Sequence, residues 1–457
     1  MENRVGMMNQ QMLNAFRSAR MSRDARFDGQ FYIAVKTTGI FCRPICPATL
    51  PKECNVEYFV DKAQAIQAGY RPCLRCRPDS AQDSWAWKGT ETTFQRALTL
   101  IDQGSLQTSP LAELANRVGV SDRYLRQLFQ KYLGMSPKQY ALAHQLMFAK
   151  QLLHSSALSI TDIAYASGFN STRRFNDAFL KVLQLSPRQI RRSNDKSNLA
   201  NSIELSFHGE LDWQHMLYFY QLRVVKGLET VETNSYQRYS QIDEKQVWFS
   251  AKKTTERSIT IEFELEELTQ LRQLVKQVRR LFDLDVNTTQ IEQHLHTIEP
   301  SLIKQKGIRI PGVWSPWEAG VRAILGQQVS VKAAITHLNA LVKTVKGEDV
   351  KAFPTPTEVA SIDLSFLKMP QSRKETLTRF AQYMIEHPES EPDNWLCLKG
   401  IGPWTVSYAH LRGCSQPDCF LDNDLVVKKA LNTFTHLTKQ NVSPWGSYAT
   451  FHCWSHA

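Results

Sequence analysis

Four cysteines in two close pairs are the residues of this sequence best suited to carry out chemistry. Cys42 and Cys46 form the first pair, and Cys73 and Cys76 form the second after a mixed segment. Two such pairs predict four thiolate ligands around one tetrahedral zinc ion. Arginines lie beside both pairs, so the predicted site would attract phosphate. By spacing alone, a purely structural zinc ribbon is the favoured interpretation.

Two longer runs of sequence surround these cysteines and change that interpretation. Residues 39–48 are Gly-Ile-Phe-Cys-Arg-Pro-Ile-Cys-Pro-Ala, and residues 70–79 are Tyr-Arg-Pro-Cys-Leu-Arg-Cys-Arg-Pro-Asp. They resemble the N-terminal domain of the Ada-type adaptive-response proteins over most of residues 20–80. The resemblance implies that Cys42, held by zinc, accepts a methyl group from a DNA methylphosphotriester. The chemistry is reasonable because a metal keeps cysteine deprotonated, and the thiolate is the nucleophile.

The same chemistry suggests a switch in DNA affinity. Four thiolates on Zn²⁺ leave the site doubly negative, and methylation of one sulfur leaves it singly negative. DNA phosphates repel the methylated site less, so we expect methylation to raise the affinity for DNA. Nothing nearby would regenerate a thioether, which makes the transfer stoichiometric. Cys54 lies between the pairs but outside the family pattern, so it is expected to be an ordinary core or surface residue.

The length and charge of the chain set broad limits on its function. Its 457 residues suggest three or four domains, and its net charge of +11 suggests a polyanionic partner. The N-terminus lacks the apolar core of a signal peptide, and no segment reaches the roughly 18 apolar residues of a membrane span. Nine cysteines without a secretory signal indicate a reducing compartment. We therefore expect a cytoplasmic, nucleoid-associated monomer that does not bind membranes.

A helical segment over residues 86–196 contains an internal repeat of about fifty residues. Each copy has a short helix, a glycine turn, a serine that can cap the next helix, a second helix and a Ser-Pro pair. This pattern predicts two helix-turn-helix units. The turn glycine, the capping serine and the serine of the Ser-Pro pair are Gly119, Ser121 and Ser136 in the first copy, and Gly168, Ser171 and Ser186 in the second.

The second helix of each unit has one apolar face and one polar or basic face, as a helix in the major groove requires. A solvated helix face would explain any single arginine, but the duplicated pattern favours DNA binding. The segment resembles the AraC-type DNA-binding domain. The resemblance implies operator DNA and RNA polymerase as partners, with two helices reading major-groove faces ~34 Å apart. The predicted DNA contacts are Arg123, Arg126 and Gln127 in the first unit and Thr172, Arg173 and Arg174 in the second.

Strand patterns replace helical ones after a polar linker at residues 193–201. Alternating residues at 203–207, 246–249 and 259–263 predict a half-buried antiparallel sheet, and a helix follows at about 265–282. The order of these elements resembles the small α+β domain at the front of AlkA-type glycosylases. Residues 197–300 are therefore assigned to such a domain.

From about residue 305 the chain is helical again and contains three motifs. They are residues 309–312 (Arg-Ile-Pro-Gly), residues 318–330 (Glu-Ala-Gly-Val-Arg-Ala-Ile-Leu-Gly-Gln-Gln-Val-Ser) and residues 398–405 (Leu-Lys-Gly-Ile-Gly-Pro-Trp-Thr). The motifs resemble those of an AlkA-type 3-methyladenine DNA glycosylase of the helix-hairpin-helix superfamily. The resemblance implies an all-α glycosylase domain over residues 301–457.

The third motif has the chemistry of a phosphate-binding hairpin. Gly400 and Gly402 permit a tight turn with exposed amides, and Pro403 suits the first turn of a helix. Amides at a helix N-terminus can hold a DNA phosphate without reading sequence. A Gly-x-Gly alone is more typical of an ordinary turn between helices, but the neighbouring Trp404 and a downstream acid favour the hairpin. The resemblance also implies a monovalent cation held by carbonyls of this hairpin.

That acid is Asp424, which the resemblance makes the catalytic aspartate. Breaking a glycosidic bond places positive charge on the sugar, and a carboxylate can stabilise that charge and orient water. Aromatic faces can select an electron-poor alkylated base. The resemblance assigns this pocket to Trp404, Tyr408 and Trp454, although each aromatic taken singly is more often a core residue. It also places Gln328 where a residue fills the gap left by a flipped base.

Two positions depart from the resembled family, and a third limits the expected activity. Asp422 stands where the family usually has proline, which adds a second carboxylate candidate. Gln328 stands where the family often has leucine, and glutamine stacks less well. Trp404 occupies the position of the lysine nucleophile of strand-cutting glycosylases, so we expect a monofunctional enzyme without β-lyase activity.

The motifs together predict a mainly α, multidomain protein whose zinc α+β domain spans residues 1–85. The predicted function is a methylphosphotriester sensor and transcription activator fused to a glycosylase. The glycosylase would remove alkylated purines such as 3-methyladenine from double-stranded DNA. One alternative is a transcription factor whose glycosylase-like domain binds DNA but is catalytically inactive. A second is a glycosylase whose front half only scans DNA, with zinc as a structural clip.

Overall fold

The computed structural model describes residues 10–24, 27–28, 30–73, 75–76, 78, 90–191 and 201–456. The fold is mainly α with two small sheets, as the sequence predicted. The chain forms two compact units, Met1–Leu142 and Ala143–Ala457. The predicted domain boundary at residues 85 and 86 and the predicted linker up to residue 200 lie outside the described residues.

The cysteine-rich region is built on a four-stranded sheet with strand order β3-β1-β2-β4. Its apolar strand β1 is almost wholly buried, and the Phe31 ring next to it stacks on Phe16 of helix α1 at 4.1 Å. Strands β2 and β4 pair in parallel, which brings the two cysteine pairs to one edge of the sheet. The elements are α1 Gln10–Ser22, β1 Tyr32–Val35, β2 Ile40–Cys42, β3 Val56–Phe59, α2 Lys62–Gln67 and β4 Arg71–Pro72.

The helical segment contains both predicted helix-turn-helix units. In the first, Gly119 adopts a left-handed φ of 76° and the Ser121 hydroxyl accepts a hydrogen bond from the Tyr124 amide. In the second, Gly168 has a φ of 80° and Ser171 caps in the same way. The helices are α3 Thr90–Asp102, α4 Ser105–Thr108, α5 Leu111–Arg117, α6 Asp122–Leu133, α7 Pro137–Ser155, α8 Ile160–Ala166, α9 Thr172–Leu183 and α10 Pro187–Ile190.

A five-stranded antiparallel sheet follows, with strand order β5-β9-β8-β7-β6. Three strands were predicted, whereas β6 and β7 were not. The inward face of β7 carries the polar residues Arg238 and Ser240, both buried, so the strand lacks the apolar alternation that would reveal it. The elements are β5 Ser202–Ser206, α11 Trp213–Gln221, β6 Glu229–Val231, β7 Ser235–Ile242, β8 Lys245–Thr255 and β9 Ser258–Leu265.

The helix predicted to begin at about residue 265 begins at Leu271 instead. Strand β9 continues to Leu265, and a 3₁₀ turn at Leu268–Gln270 separates it from the helix. The remaining helices are α12 Leu271–Leu281, α13 Thr288–Ile298, α14 Pro316–Gly326, α15 Val331–Lys346, α16 Pro356–Ser361, α17 Gln371–Glu386, α18 Pro403–Tyr408, α19 Leu425–Leu431, α20 Lys439–Val442 and α21 Gly446–Ser455. Among the described helices, none combines the length and apolarity needed to cross a bilayer.

A buried ion network joins this sheet to helix α14. Arg238 on β7 bonds Glu318 on α14 and Glu229 on β6, each at 2.6 Å. Arg322, one helical turn beyond Glu318, bonds the same carboxylate at 2.8 Å. Burial alone would raise the pKa of Glu318, but the two guanidiniums outweigh it and hold the pKa at about 2. The carboxylate is therefore charged at neutral pH and shared by two elements.

We expect the Glu318→Gln variant to be strongly destabilised, because it leaves buried guanidiniums without their counter-charge. A loss of about 3 kcal/mol in the free energy of unfolding is expected when one partner of a buried pair is removed. Chemical denaturation of the two proteins measures it. The control is Glu348→Gln, which breaks an exposed pair with Lys343 and should leave the midpoint nearly unchanged. Equal midpoints for Glu318→Gln and the parent would contradict the role of the network.

Candidate functional site

The four predicted cysteines meet at one end of the first sheet. Their sulfur atoms all lie within 4.8 Å of one another, and no other group of three or more ligand residues among the described residues does so. Cys42 ends strand β2, and the Cys73 amide after β4 donates a 3.0 Å hydrogen bond to the Phe41 carbonyl. Cys46, Cys73 and Cys76 are buried, whereas Cys42 is partly exposed. Cys54, as expected, is a free and exposed cysteine outside the cluster.

Arg43 lies within the first cysteine pair and connects its loop to the second pair. Its guanidinium is buried, forms an ion pair with Asp28 and donates to the Cys76 carbonyl at 3.2 Å. Its backbone amide donates to the Cys76 sulfur at 3.4 Å. The arginine predicted to attract phosphate is therefore a structural support of the cluster. Arg77, another neighbouring arginine, lies outside the described residues.

The donor set of the cluster fits zinc. Four sulfurs at this separation match the tetrahedral arrangement of structural zinc sites. The pKa of the Cys42 thiol is raised, chiefly by its hydrogen bond to Cys46 and further by Cys76 and burial. Four sulfurs this close become thiolates together only around a cation, since their charges otherwise repel. A zinc ion bound by the four cysteines would supply that charge.

The predicted DNA contacts of the two helix-turn-helix units lie on the second helix of each unit. On α6, Arg123, Arg126 and Gln127 are exposed, and Arg126 pairs with Asp122 at 3.3 Å. The opposite face of α6, which carries Leu125, packs into a local hydrophobic core. On α9 the predicted arginines are exposed and the predicted threonine is partly exposed at the start of the helix. These residues are Thr172, Arg173 and Arg174.

The second site is a cavity of about 1070 Å³ in the C-terminal part of the chain. Seven residues predicted from the sequence line it: Asp424, Trp404, Tyr408, Trp454, Gln328, Gly400 and Gly402. They come from four separate segments: the turn after α14, the hairpin together with helix α18 that follows it, the start of α19 and the end of α21. The cavity is large enough for a nucleobase with its sugar.

Asp424 is held at the start of helix α19. Its Oδ1 accepts hydrogen bonds from the Val426 amide at 3.0 Å, the Val427 amide at 3.3 Å and the Trp454 indole at 3.1 Å. Among the described residues no donor reaches Oδ2. One oxygen therefore orients the carboxylate and the other is free to act on a ligand. Asp422 is exposed, accepts a bond from Asn423 at 3.3 Å and does not line the cavity.

The aromatic residues of the cavity form two separate groups. Trp404 and Tyr408 stack on each other at 5.3 Å with an interplanar angle of 27°. Trp454, whose indole is bonded to Asp424, lies nearly parallel to Phe219 at a centroid distance of 6.3 Å. Phe219, on α11, was not predicted as a site residue. Phe219 therefore supports Trp454 without lining the cavity itself.

Three arginines line the cavity, and the sequence analysis singled out none of them. Arg322 belongs to the buried ion network, whereas Arg223 and Arg412 do not. Arg223 lies 3.7 Å above the Phe219 ring, and Arg412 lies 4.9 Å from it and bonds the Tyr408 hydroxyl at 2.8 Å. Among the described residues neither forms an ion pair. Burial and the charge of Arg412 lower the pKa of Arg223 to about 10. Burial would raise the pKa of Tyr408, but both arginines outweigh it and lower that pKa.

The hairpin has the geometry expected from its glycines. Gly400 has a left-handed φ of 96°, and a Cβ there would lie 2.0 Å from the Thr376 hydroxyl. Gly402 precedes Pro403, the first residue of α18. The turn thus has the backbone geometry that the two glycines predicted, and its phosphate-binding role stays a prediction.

Known proteins are similar to this chain over nearly its whole length. Three family models match it: the metal binding domain of Ada at residues 15–79, a helix-turn-helix domain at 114–193 and the AlkA N-terminal domain at 202–315. A relative from Mycobacterium tuberculosis (strain ATCC 25618 / H37Rv) is named "Probable bifunctional transcriptional activator/DNA repair enzyme AlkA". It is 30% identical over 96% of this chain and 95% of its own length.

The chain belongs to the family of bifunctional Ada/AlkA proteins. Shorter relatives match its two halves separately. The DNA-3-methyladenine glycosylase 2 of Escherichia coli K12 is 31% identical over 55% of this chain and 95% of its own length. The Ada protein of the same organism, a bifunctional transcriptional activator/DNA repair enzyme, is 34% identical over 39% of this chain and 49% of its own length. The Ada/AlkA chain thus combines a zinc-binding and regulatory half with a glycosylase half.

We expect one zinc ion per chain, lost when Cys46, Cys73 or Cys76 is replaced by serine. Removing one thiolate leaves three ligands, and a three-ligand site binds structural zinc far more weakly. Metal analysis of the purified variants by mass spectrometry measures the loss. Cys54→Ser is the matched control and should retain the full zinc content. Parent protein without zinc, or loss of zinc from the control, would contradict the assignment of the four ligands.

Proposed function

We propose that this Ada/AlkA protein senses DNA alkylation and repairs it. The zinc region would accept a methyl group from a DNA methylphosphotriester, and the helix-turn-helix units would then activate transcription. The C-terminal part would hydrolyse the N-glycosidic bond of alkylated purines. The observation that carries the proposal is the presence in one chain of a four-sulfur cluster and a cavity with an oriented carboxylate.

In the methyl transfer, the Cys42 sulfur attacks the methyl carbon of the phosphotriester. The carbon–oxygen bond breaks, its electron pair stays on the phosphate oxygen, and a thioether forms. The products are a normal phosphodiester and a methylated cysteine. Zinc supplies the charge that keeps the sulfur a thiolate. Cys42 is supported as the acceptor because it is the partly exposed member of an otherwise buried set.

In base excision, Asp424 acts on the sugar. The bond between C1′ and the base nitrogen breaks, the electron pair leaves with the base, and positive charge develops on the sugar. The free oxygen of Asp424 can stabilise this charge and accept the proton of the water that attacks C1′. The alkylated purine already carries positive charge, so it leaves without a strong general acid. This step needs no covalent enzyme intermediate.

Recognition of the base is assigned to the aromatic side chains. A cationic purine is attracted to the faces of Trp404 and Trp454. Arg223 and Arg412 oppose a further positive charge in the cavity, and the Asp424 carboxylate offsets part of that effect. The two guanidiniums can also donate hydrogen bonds to acceptor atoms of the base. Selectivity would therefore depend on both ring charge and acceptor positions.

The partners follow from the two proposed activities. Alkylated duplex DNA would be the substrate of both sites, and operator DNA and RNA polymerase the partners of the regulatory part. We propose zinc as the resident metal and a monovalent cation at the hairpin carbonyls. The proposed division is residues 1–85, 86–196, 197–300 and 301–457, in a cytoplasmic, nucleoid-associated monomer.

We expect reaction with methylphosphotriester DNA to add one methyl group, on Cys42. Its sulfur is the accessible nucleophile of the cluster, whereas the other ligands are buried. Peptide mapping by mass spectrometry locates the methyl group, and a Cys54→Ser protein should react equally. The methylated protein should bind operator DNA more tightly, with a salt dependence changed by about one ion. A methyl group on Cys54, or on no cysteine, would refute the assignment.

We expect Asp424→Asn to lower the single-turnover release of 3-methyladenine by at least about a hundredfold, because it removes charge stabilisation at the sugar. Asparagine still caps helix α19, so stability should be retained. Asp422→Asn is the matched control and should keep most activity, since Asp422 is exposed and outside the cavity. The reverse result would place the catalytic carboxylate at Asp422. A parent protein that releases no alkylated base would favour the inactive-domain alternative.

A further inference from the structure

The turn between helices α14 and α15 lies at the mouth of the cavity. Gln328 at its tip is exposed and adopts a φ of 55°, a left-handed conformation that is uncommon for a residue other than glycine. Ser330 ends the turn and caps α15 by accepting a 3.3 Å hydrogen bond from the Ala333 amide. The tip therefore projects in a conformation that its own backbone does not favour, and neighbouring contacts must hold it there.

The neighbouring residue Gln327 supplies such a contact. Its side-chain Nε2 donates to the Gly400 carbonyl at 3.0 Å and to the Thr405 hydroxyl at 3.2 Å. Gly400 belongs to the hairpin, and Thr405 to helix α18 directly after it. The side-chain amide of Gln327 thus uses both of its hydrogens. One bonds a hairpin residue before the N-terminus of α18, and the other bonds a residue in its first turn. Across 73 residues of sequence, this amide connects the turn to the hairpin.

The hairpin itself is a fixed point of the structure. Thr376 packs against Gly400 so closely that no side chain fits there, and Arg379 donates to the Lys399 carbonyl at 2.6 Å. Thr405 is buried. A side chain bonded to this hairpin is therefore held in a defined position relative to any DNA phosphate that the hairpin amides bind.

We infer that Gln327 is a positioning residue that couples the DNA grip of the hairpin to extrusion of the damaged base. This inference rests on the proposed glycosylase function. The hairpin holds a phosphate, Gln327 holds the turn at a set distance from that phosphate, and Gln328 enters the gap that the extruded base leaves. When the hairpin binds a phosphate, the tip of the turn is thereby placed next to the base pairs. Because the turn is already ordered, binding does not cost the entropy of ordering it.

The test is the Gln327→Met variant, which keeps the length of the side chain and its neutral charge but removes both donors. We expect its binding to undamaged duplex to stay within about twofold of the parent, because the hairpin amides are intact. Its preference for a duplex with an uncleavable lesion analogue should fall about tenfold, the loss expected for one or two hydrogen bonds. The lesion-dependent fluorescence rise of a neighbouring 2-aminopurine, which reports extrusion, should fall in parallel.

Gln270→Met is the matched control. Gln270 is a buried glutamine whose Nε2 donates to the Ile242 carbonyl at 2.8 Å, outside the cavity. It should lose stability but keep the full lesion preference and fluorescence rise. If Gln327→Met keeps both, or loses binding to undamaged and damaged duplex equally, the coupling is refuted. If instead the parent itself shows no lesion preference, no fluorescence rise and no base release, the proposed glycosylase function fails.

Discussion

Glu318 is a buried carboxylate shared between the small sheet and helix α14, and the geometry of the cavity depends on it. Arg238 on β7 forms an ion pair with this carboxylate, and Arg322, on the same helix α14 as Glu318, forms a second one. Arg322 also donates to the Arg223 carbonyl at 3.0 Å, which sets the backbone of one cavity wall. A buried ion pair adds little net stability, because desolvation offsets most of its attraction, but removing one partner leaves an uncompensated charge. The network therefore favours the one arrangement of the five-stranded sheet and helix α14 in which all of these charges are paired.

The two sites of this Ada/AlkA protein meet the same electrostatic requirement in different ways. In the proposed function, each site needs an anion close to a polyanionic substrate. The cysteine cluster concentrates sulfur ligands where a metal can neutralise them, and Arg43 stabilises the loop with a backbone and a side-chain contact. Asp424 instead places one oxygen on the amides of a helix N-terminus, where the helix dipole favours negative charge, and adds the Trp454 indole.

Local patterns made much of this structure predictable. The cysteine spacing, the fifty-residue helical repeat and the glycine hairpin each depend on a few neighbouring residues. The seven residues that the resemblance assigned to catalysis, the base pocket and DNA contact in the C-terminal part all line one cavity. The missed features depend on tertiary contacts. Strand β7 was missed because Arg238 occupies an inward position, and Arg223 resembles any exposed helix-end arginine until Phe219 and the cavity surround it. The bond between Asp424 and Trp454 spans 30 positions that no periodicity relates.

The left-handed backbone of Gln328 has a consequence for the evolution and engineering of this protein. Glycine or asparagine would adopt that conformation more readily, so selection for heat resistance alone should favour either of them at this position. Neither replacement offers a side chain of glutamine's reach at the cavity mouth. If Gln328 fills the gap left by an extruded base, as proposed, directed evolution toward a more stable protein would therefore lower activity at this turn, and one residue would set both stability and activity.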